Sequence, residues 1–336
     1  MLIDSWGRQI TYLRISVTDR CNMRCVYCTP PEGIRWKARE EILSYEEISS
    51  VVSVAARLGI RFIRLTGGEP LVRPDLPVLI SALAAIPGIE EVSLTTNGSL
   101  LEKFAKPLAE AGLKRVNISL DTLDAERFRF ITRGGDIEQV WRGIATAEMV
   151  GLNPIKVNTV IVRGLNSDEI VPLAQLTRRH PWHIRFIELM PIGNGGDWGS
   201  EMPVPYDRYF SVAEMKELLT DFDLQPIHNS LGNGPERTYR IPGSQGTIGF
   251  ISPVSEHFCS TCNRLRLTAD GCLRSCLMSD QEVPVRAAIH KSNTLEILIR
   301  QAIAMKPESH HMSEALCLAQ PAGGPISTRY MTQIGG

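Results

Sequence analysis

Three cysteines lie close together near the start of the chain, in the stretch "TDRCNMRCVYCTPPEG" at residues 18–33. Cys21, Cys25 and Cys28 are separated by three and two residues, a spacing too tight for three independent core cysteines. Clustered thiolates select zinc, Cu(I) or iron–sulfur clusters. Three ligands are one short of a closed zinc site, whereas a [4Fe–4S] cluster on three cysteines would leave one iron open. A zinc knuckle completed by a distant ligand is the alternative.

A second cysteine group occupies the stretch "FCSTCNRLRLTADGCLRSCLM" at residues 258–278. Cys259 and Cys262 are separated by two residues, and Cys272 and Cys276 by three. Taken alone, this pattern could close a Cys₄ zinc site. The group therefore indicates a second metal centre, with the metal left open at this point.

The elements that must position these thiols alternate between strand and helix patterns. Segments 44–59 and 136–151 have helical periodicity; Ser44 with Glu47 fits a capping box, and Gly59 and Gly151 stand where a helix end favours a positive φ. Repeated βα units predict a parallel sheet, with ligands beyond the carboxyl ends of its strands. The apolar, β-branched runs that predict strands are 11–17, 61–67, 91–97, 114–120, 155–162 and 183–189.

The composition of the 336 residues is that of a globular enzyme, with 43% hydrophobic and 22% charged residues. A net charge of −1 argues against a bulk nucleic-acid binder. The first residues show no charged stretch followed by an apolar one, and no apolar run reaches membrane-spanning length. We therefore expect a cytoplasmic protein that binds neither nucleic acid nor membrane, whose clustered cysteines are metal ligands rather than disulfides.

The pattern changes after about residue 190, where "PIGNGGDWGSEMPVP" is rich in Gly and Pro. Beyond it, Ser211 with Glu214 caps a predicted helix, and glycine-rich strand-like runs lead to the second cysteine group. We predict one domain over residues 1–205 and a second over residues 206–336.

The first cysteine group, with Tyr27 just before its third cysteine, resembles the signature of the radical S-adenosylmethionine superfamily. The "TGGEP" stretch at 66–70 agrees with it, because that superfamily keeps a glycine-rich contact to the methionine amino group after the second strand. The resemblance implies a [4Fe–4S] cluster on Cys21, Cys25 and Cys28. It also implies that S-adenosylmethionine is the missing fourth ligand.

A narrower resemblance covers nearly the whole chain. The spacing of Cys259, Cys262 and Cys276, with "NRLRLTADG" between them, is similar to that of the GTP 3′,8-cyclase family of molybdenum-cofactor biosynthesis. That family carries two [4Fe–4S] clusters, each on three cysteines. Cys272 departs from the pattern, so it could replace Cys276 as a ligand or be a spare thiol. The fold implied is an incomplete parallel (β/α)₆ barrel whose lateral opening is closed by a C-terminal iron–sulfur domain.

The family resemblance also implies the residues of a substrate and cofactor site. Any single strand arginine is more often a solvated charge or a surface ion pair, so these positions rest on the family match. Arg14, Arg264 and Arg266 would be catalytic. S-adenosylmethionine would contact Tyr27, Gly68, Ser119 and Met190. GTP would contact Arg14, Arg64, Thr95, Lys156, Arg264, Leu265 and Arg266.

The resemblance implies a reaction as well. Reductive cleavage of S-adenosylmethionine would give a 5′-deoxyadenosyl radical that removes the 3′ hydrogen of GTP, and C3′ would then bond to C8. The partners implied are an external electron donor, a second copy in a homodimer, and the cyclic pyranopterin monophosphate synthase that takes the product. Two alternatives remain open: a radical enzyme acting on another substrate such as a peptide, and a non-enzymatic zinc protein. For the terminal Gly335 and Gly336, the sequence alone favours a frayed end.

Overall fold

The computed structural model of the chain describes residues 1–190, 192, 208–227, 234–310 and 329–335. The predicted domain boundary at 205 lies outside these residues. Among the residues described, no helix is long and apolar enough to cross a membrane.

Twelve strands form one sheet in the order β12-β11-β10-β1-β2-β3-β4-β5-β6-β9-β8-β7. Neighbouring strands from β10 to β9 in this order pair in parallel, and the pairs at either end are antiparallel. The first six strands are β1 (Tyr12–Ser16), β2 (Phe62–Thr66), β3 (Glu91–Thr96), β4 (Arg115–Ser119), β5 (Lys156–Ile161) and β6 (His183–Glu188). The others are β7 (Gln225–Ile227), β8 (Arg237–Arg240), β9 (Thr247–Ile251), β10 (Arg264–Leu267), β11 (Cys272–Arg274) and β12 (Val283–Pro284).

All six predicted strands are present, and they pair in parallel in the order β1 to β6, in agreement with the incomplete barrel that the family resemblance implies. The C-terminal part adds β10 beside β1 and β9 beside β6, so it extends both ends of the parallel array. The sheet is therefore continuous between the two parts of the chain. In the described ranges its end strands, β12 and β7, pair on one side only.

Helices connect the parallel strands and pack on the apolar face of the sheet. Those preceding β6 are α1 (Tyr45–Leu58), α2 (Leu76–Ala84), α3 (Leu101–Glu110), α4 (Ala125–Thr132), α5 (Ile137–Met149) and α6 (Ile170–Arg179). Later come α7 (Val212–Glu217), α8 (Ser292–Ala304) and a final turn, α9 (Met331–Ile334). Local capping fixes their ends as predicted. Ser44 and Glu47 form a reciprocal capping box, as do Ser211 and Glu214, and Gly59 has φ of 118°.

Strand residues alternate between an apolar and a polar face, because successive side chains point to opposite sides of a sheet. In β1, Leu13 and Ile15 belong to the main hydrophobic core, and Arg14 stands between them. In β2, Ile63 and Leu65 enter the same core on either side of Arg64. The core thus fills the space between sheet and helices, and the opposite face of the sheet is free to carry charged groups.

Candidate functional site

Arginines occupy adjacent register positions on the polar face of three neighbouring strands. Arg14 of β1 stands opposite Arg266 of β10 on one side and Arg64 of β2 on the other. Burial, and then the positive charges of Arg266 and Arg64, lower the pKa of Arg14 well below its ordinary value. Burial, followed by the charge of Arg264, lowers the pKa of Arg266 to about 10. Like charges held this close are stabilised by an anion.

Two further arginines belong to the same polar face, and the sequence analysis did not identify them. Arg115 opens β4 and Arg185 lies in the middle of β6, and both are buried. When the Asn117 side-chain amide is oriented with its oxygen toward Arg64 and Arg185, that oxygen accepts hydrogen bonds from both arginines. A signal for these arginines exists in the sequence. In "RVNIS" and "HIRFIE", the polar residues alternate with the apolar ones in the way that Arg14 and Arg64 do.

Several buried polar atoms on this face lack a hydrogen-bond partner among the described residues. They are Nε of Arg64, Nε of Arg185 and Oγ1 of Thr95. Buried polar groups in folded proteins are normally satisfied. Donors left open beside a row of arginines fit a polar anionic ligand, since such a ligand would complete their hydrogen bonds.

Lys156, the predicted substrate contact on β5, forms an ion pair with Glu236, a residue that the sequence analysis did not identify. Its Nζ lies 3.2 Å from Oε1 of Glu236, and the two side chains are 1% and 0% exposed. His183 and Arg185 also lie within 4.0 Å of that carboxylate, at 3.4 and 3.7 Å. Burial, and then the charge of Arg185, lower the pKa of Lys156 to about 7. Lys156 is thus part of a buried charge cluster beside the arginine row.

Leu265 was predicted as a substrate contact, and its side chain does not lie on this face. It is 2% exposed, belongs to the hydrophobic core and stands opposite Leu13 in the register of β10 with β1. Arg264 and Arg266 on either side of it point to the other face, as the alternation predicts. Any ligand contact at Leu265 would have to use its backbone.

The first cysteine set follows β1 at the carboxyl edge of the sheet. Burial raises the pKa of Cys25 well above its ordinary value, and the charges of Cys28, Asp121 and Cys21 raise it further. Burial likewise raises the pKa of Cys21 to about 11 and that of Cys28 to about 12. The three thiols therefore lie close to one another and are largely buried. Without a metal they are protonated, and a bound metal would ionise them.

The residues predicted to bind S-adenosylmethionine all lie at this edge. Ser119 ends β4, Met190 follows β6 by two residues, and Gly68 follows β2 by two. Tyr27 lies in the cysteine loop, where its hydroxyl donates to Oδ2 of Asp121 at 2.5 Å. The structure thus brings all four to the end of the sheet that holds the first cysteine set.

The Gly67-Gly68 turn lies directly against the cysteine loop. The amide of Gly68 donates to the carbonyl of Thr18, and that of Glu69 donates to the carbonyl of Arg20, both at 2.8 Å. A Cβ on Gly68 would stand 2.3 Å from the Arg20 oxygen, and one on Gly67 2.5 Å from the Thr18 oxygen. Both glycines are therefore needed so that the two backbones can approach.

Of the four cysteines in the second group, Cys276 lies near Cys259 and Cys262, and Cys272 does not. This arrangement favours Cys276 over Cys272 as the third ligand, and the second cysteine set is defined here as Cys259, Cys262 and Cys276. Burial raises the pKa of Cys259, and the charges of Cys276 and Cys262 add to the effect. Cys272 lies in β11, where burial and then Asp270 and Glu282 raise its pKa to about 11. Its neighbours are thus carboxylates rather than the other thiols.

Neither set of three thiols is grouped as tightly as a single tetrahedral zinc ion requires. Thiolates about 2.3 Å from a tetrahedral zinc stand about 3.8 Å apart. Within the described ranges, the one group of three ligating residues whose donor atoms all lie within 4.8 Å is His257, Cys259 and His310. Neither set of three thiols is that compact. Each set can therefore surround a larger group such as a [4Fe–4S] cluster, with three protein ligands and one open position.

The C-terminal segment reaches the site, so the predicted frayed end is wrong for the residues described. Arg266 donates from Nη1 to the carbonyl oxygen of Gly335 at 2.8 Å, and Gly335 is buried. The backbone of Thr332 lies close enough to Cys28 to oppose the rise in the pKa of that thiol that burial causes. Arg329 anchors the segment through Asp270 at 3.0 Å and Glu282 at 2.6 Å. Gly336 lies outside the described residues.

Comparisons with solved structures agree with this fold. Streptococcus suis SuiB bound to S-adenosylmethionine matches with a TM-score of 0.63 and 13% identity, over 97% of this chain and 77% of that one. The anSMEcpe protein with bound AdoMet matches with a TM-score of 0.58 and 15% identity, over 90% of this chain and 79% of that one. At these identities the likeness shows a shared fold.

Sequence comparisons identify the family. Residues 15–177 match the Radical SAM superfamily, and residues 182–312 match the family Molybdenum Cofactor Synthesis C. Proteins named GTP 3′,8-cyclase from Pelotomaculum thermopropionicum and Moorella thermoacetica are each 50% identical to this chain, over 99% of both chains. The one from Listeria welshimeri is 47% identical over 100% of this chain and 99% of its own. The chain therefore belongs to the GTP 3′,8-cyclase family of the radical SAM superfamily, whose cofactors are S-adenosylmethionine and [4Fe–4S] clusters.

Proposed function

We propose that this chain converts GTP to 3′,8-cyclo-7,8-dihydroguanosine triphosphate, the first step of molybdenum-cofactor biosynthesis. Its full-length relatives carry the name of this activity. The observation that carries the substrate assignment is the row formed by Arg266, Arg14 and Arg64, at adjacent register positions on one face of the sheet. Three guanidinium groups side by side suit a triphosphate.

The triphosphate site is built from the arginine row together with Thr95 and Lys156. Arg64 and Thr95 hold buried polar atoms that a phosphate oxygen would satisfy, since the described residues offer those atoms no partner. Nε of Arg185 likewise has no hydrogen-bond partner among the described residues, and this arginine extends the site toward β6. A buried, weakly hydrated pocket strengthens each of these contacts. The chain binds a polyanion here more readily than a peptide.

The two cysteine sets would hold the two clusters, with Cys21, Cys25 and Cys28 on the first and Cys259, Cys262 and Cys276 on the second. When bound, the first cluster and S-adenosylmethionine supply the 5′-deoxyadenosyl radical that removes the 3′ hydrogen of GTP. Tyr27, Gly68, Ser119 and Met190 form the pocket for S-adenosylmethionine.

Arg14, Arg264 and Arg266 hold and orient the substrate. Arg266 lies near the second cysteine set, since the charges of Cys276 and Cys262 act on it. It also holds the C-terminal segment through Gly335. The bond to Arg266 and the closeness of the Thr332 backbone to Cys28 support a role of the segment in the site. Fixing the ribose there restricts the reacting atoms to one arrangement, and excluding water protects a reactive radical.

The test is 5′-deoxyadenosine formation by anaerobically reconstituted protein supplied with S-adenosylmethionine and dithionite. We expect formation to rise sharply with GTP and not with ATP, and an Arg64→Met variant to need at least about tenfold more GTP. The control is Arg300→Met, because Arg300 forms an exposed pair with Glu296 on α8. If 5′-deoxyadenosine formation does not depend on GTP, the assignment of radical chemistry stands, but GTP is not the substrate. Colourless protein that contains zinc and no iron would overturn the assignment.

The same proposal includes the partners that such a reaction needs. An external electron donor must reduce the first cluster, and a cyclic pyranopterin monophosphate synthase would take the product. All seven cysteines in the described ranges are free thiols, which agrees with a reducing, cytoplasmic location. We propose a homodimer. Within each chain we propose the radical core over residues 1–205 and the second cluster over residues 206–336, with the GTP site formed by residues of both parts. Size-exclusion chromatography with light scattering tests the dimer.

A further inference from the structure

Lys306 is a buried lysine that joins the two segments carrying the second cysteine set. It follows α8 closely and is 5% exposed. Its Nζ donates to the carbonyl oxygen of Arg264 at 2.9 Å and to that of Ser275 at 2.7 Å. Arg264 stands two residues after Cys262, and Ser275 immediately precedes Cys276. One ammonium group therefore holds together the backbone on both sides of the set.

The third N–H of this ammonium is available to the sulfur of Cys262. A lysine ammonium has three donors, and the two carbonyl groups take two of them. The ammonium lies close enough to Cys262 that, after the charge of Arg264, its own charge lowers the pKa of that thiol against the effect of burial. Within the described part of the chain, no carboxylate forms an ion pair with Lys306. A buried charge needs compensation, and with a cluster bound the thiolates of this set would be the anionic groups beside it.

The first cysteine set differs in having two carboxylates beside it, together with one cation, Arg133. In addition to burial, the carboxylate of Glu69 raises the pKa of Cys21, and that of Asp121 raises the pKa of Cys25. At the second set, Arg264 and Lys306 act on Cys262, and Arg8 acts on Cys259. Arg8 also donates to the carbonyl oxygen of Cys259 at 2.7 Å. Net charge and hydrogen bonds to sulfur are the protein's main means of setting a cluster potential.

We propose that Lys306 is a positioning residue for the second cysteine set, and that its charge raises the reduction potential of the cluster held there. One-electron reduction makes a cluster more negative, and a cation held against a sulfur ligand stabilises that state. Burial keeps the cation poorly screened, so its effect is large. The inference rests on the proposed function only in that the second set holds a cluster; it does not depend on GTP being the substrate.

The test uses the full-length chain with Cys21, Cys25 and Cys28 all replaced by Ser, so that the second cluster alone is titrated. Iron content is measured first, and then the midpoint potential by EPR-monitored titration with dithionite. The variants are Lys306→Arg, which keeps a positive charge, and Lys306→Met and Lys306→Gln, which remove it. Lys106→Met is the matched control, because Lys106 is an exposed lysine of α3.

We expect Lys306→Met and Lys306→Gln to lower the potential so that the ratio of reduced to oxidised cluster falls about tenfold at the parental midpoint, or about 59 mV. Lys306→Arg and Lys106→Met should keep the parental value. Full iron content with the parental potential in both neutral variants would overturn the proposal. If both neutral variants lose iron and Lys306→Arg retains it, a positive charge at this position is needed to hold the cluster, and this result supports the proposal. Loss of iron in all three Lys306 variants would overturn it, because a charge would then not be what the position supplies.

Discussion

Arg266 and Gly335 are joined by a hydrogen bond of 2.8 Å, although 68 residues separate them along the chain. The bond ties the end of the chain to a strand that lies beside β1, on the face that carries the arginine row. In the same segment, the backbone of Thr332 lies close enough to Cys28 to influence the pKa of that thiol. The C-terminal residues therefore form part of the site, and their conformation should affect its chemistry.

We expect Gly335→Ala to lower GTP-dependent 5′-deoxyadenosine formation about tenfold while iron content stays unchanged. Gly335 has φ of 83°, and an added Cβ would stand 3.0 Å from Cβ of Ser16. The positive φ costs an L-residue about 1–2 kcal/mol, and the contact displaces the segment from Arg266. The control is Gly151→Ala, since Gly151 has φ of 80° and nothing within 4 Å of the added Cβ. Equal effects of both substitutions on the rate would contradict this prediction.

Iron counting should separate Cys272 from Cys276. We expect Cys272→Ser to retain about eight iron atoms per chain and Cys276→Ser to retain about four, because only the second change removes a cluster ligand. The structural reason is that Cys272 has Asp270 and Glu282 as neighbours, whereas Cys276 lies close to the thiol of Cys259. Loss of iron on replacing Cys272 would show that the ligand set is wrong.

Glu236→Gln should destabilise the chain by about 3–5 kcal/mol, the effect of breaking a buried ion pair. The substitution leaves the cations Lys156 and Arg185 without their compensating carboxylate. The measurement is chemical denaturation of the cluster-free protein followed by circular dichroism. Glu256→Gln is the matched control, because Glu256 pairs with Arg237 at the surface, where the side chains are 43% and 60% exposed. The control should change stability by less than about 1 kcal/mol; a similarly small change for Glu236→Gln would rule out the buried pair.

GTP affinity should fall as the pH rises above about 7. Burial, and then the charge of Arg185, lower the pKa of Lys156 to about 7, so the free site loses this proton at and above that pH. A triphosphate favours the charged ammonium, and binding therefore takes up a proton. The dissociation constant should then increase by up to about tenfold per pH unit.

Equilibrium dialysis of GTP against reconstituted protein without S-adenosylmethionine measures this dependence. Lys156→Arg is the comparison, because arginine keeps its charge over this range. It should show the weaker pH dependence that comes from GTP itself. Identical pH profiles for the parent and Lys156→Arg would show that Lys156 does not titrate on binding.

The sequence alone determined the features that depend on neighbours along the chain. The spacing of Cys21, Cys25 and Cys28 indicated a cluster with an open position, and Ser44 with Glu47 predicted where α1 begins. Apolar, β-branched runs predicted the strands. Residues within a few positions interact whatever the rest of the fold does, so their patterns can be interpreted directly.

The tertiary structure decided which distant residues meet. It paired Lys156 with Glu236, favoured Cys276 over Cys272, brought Lys306 to Cys262 and placed Gly335 against Arg266. It also turned Leu265 into the core, away from the arginines on either side. Such contacts depend on strand order and on the close approach of segments far apart in sequence. A charge pattern along the chain does not encode that approach; the packing of the sheet and helices creates it.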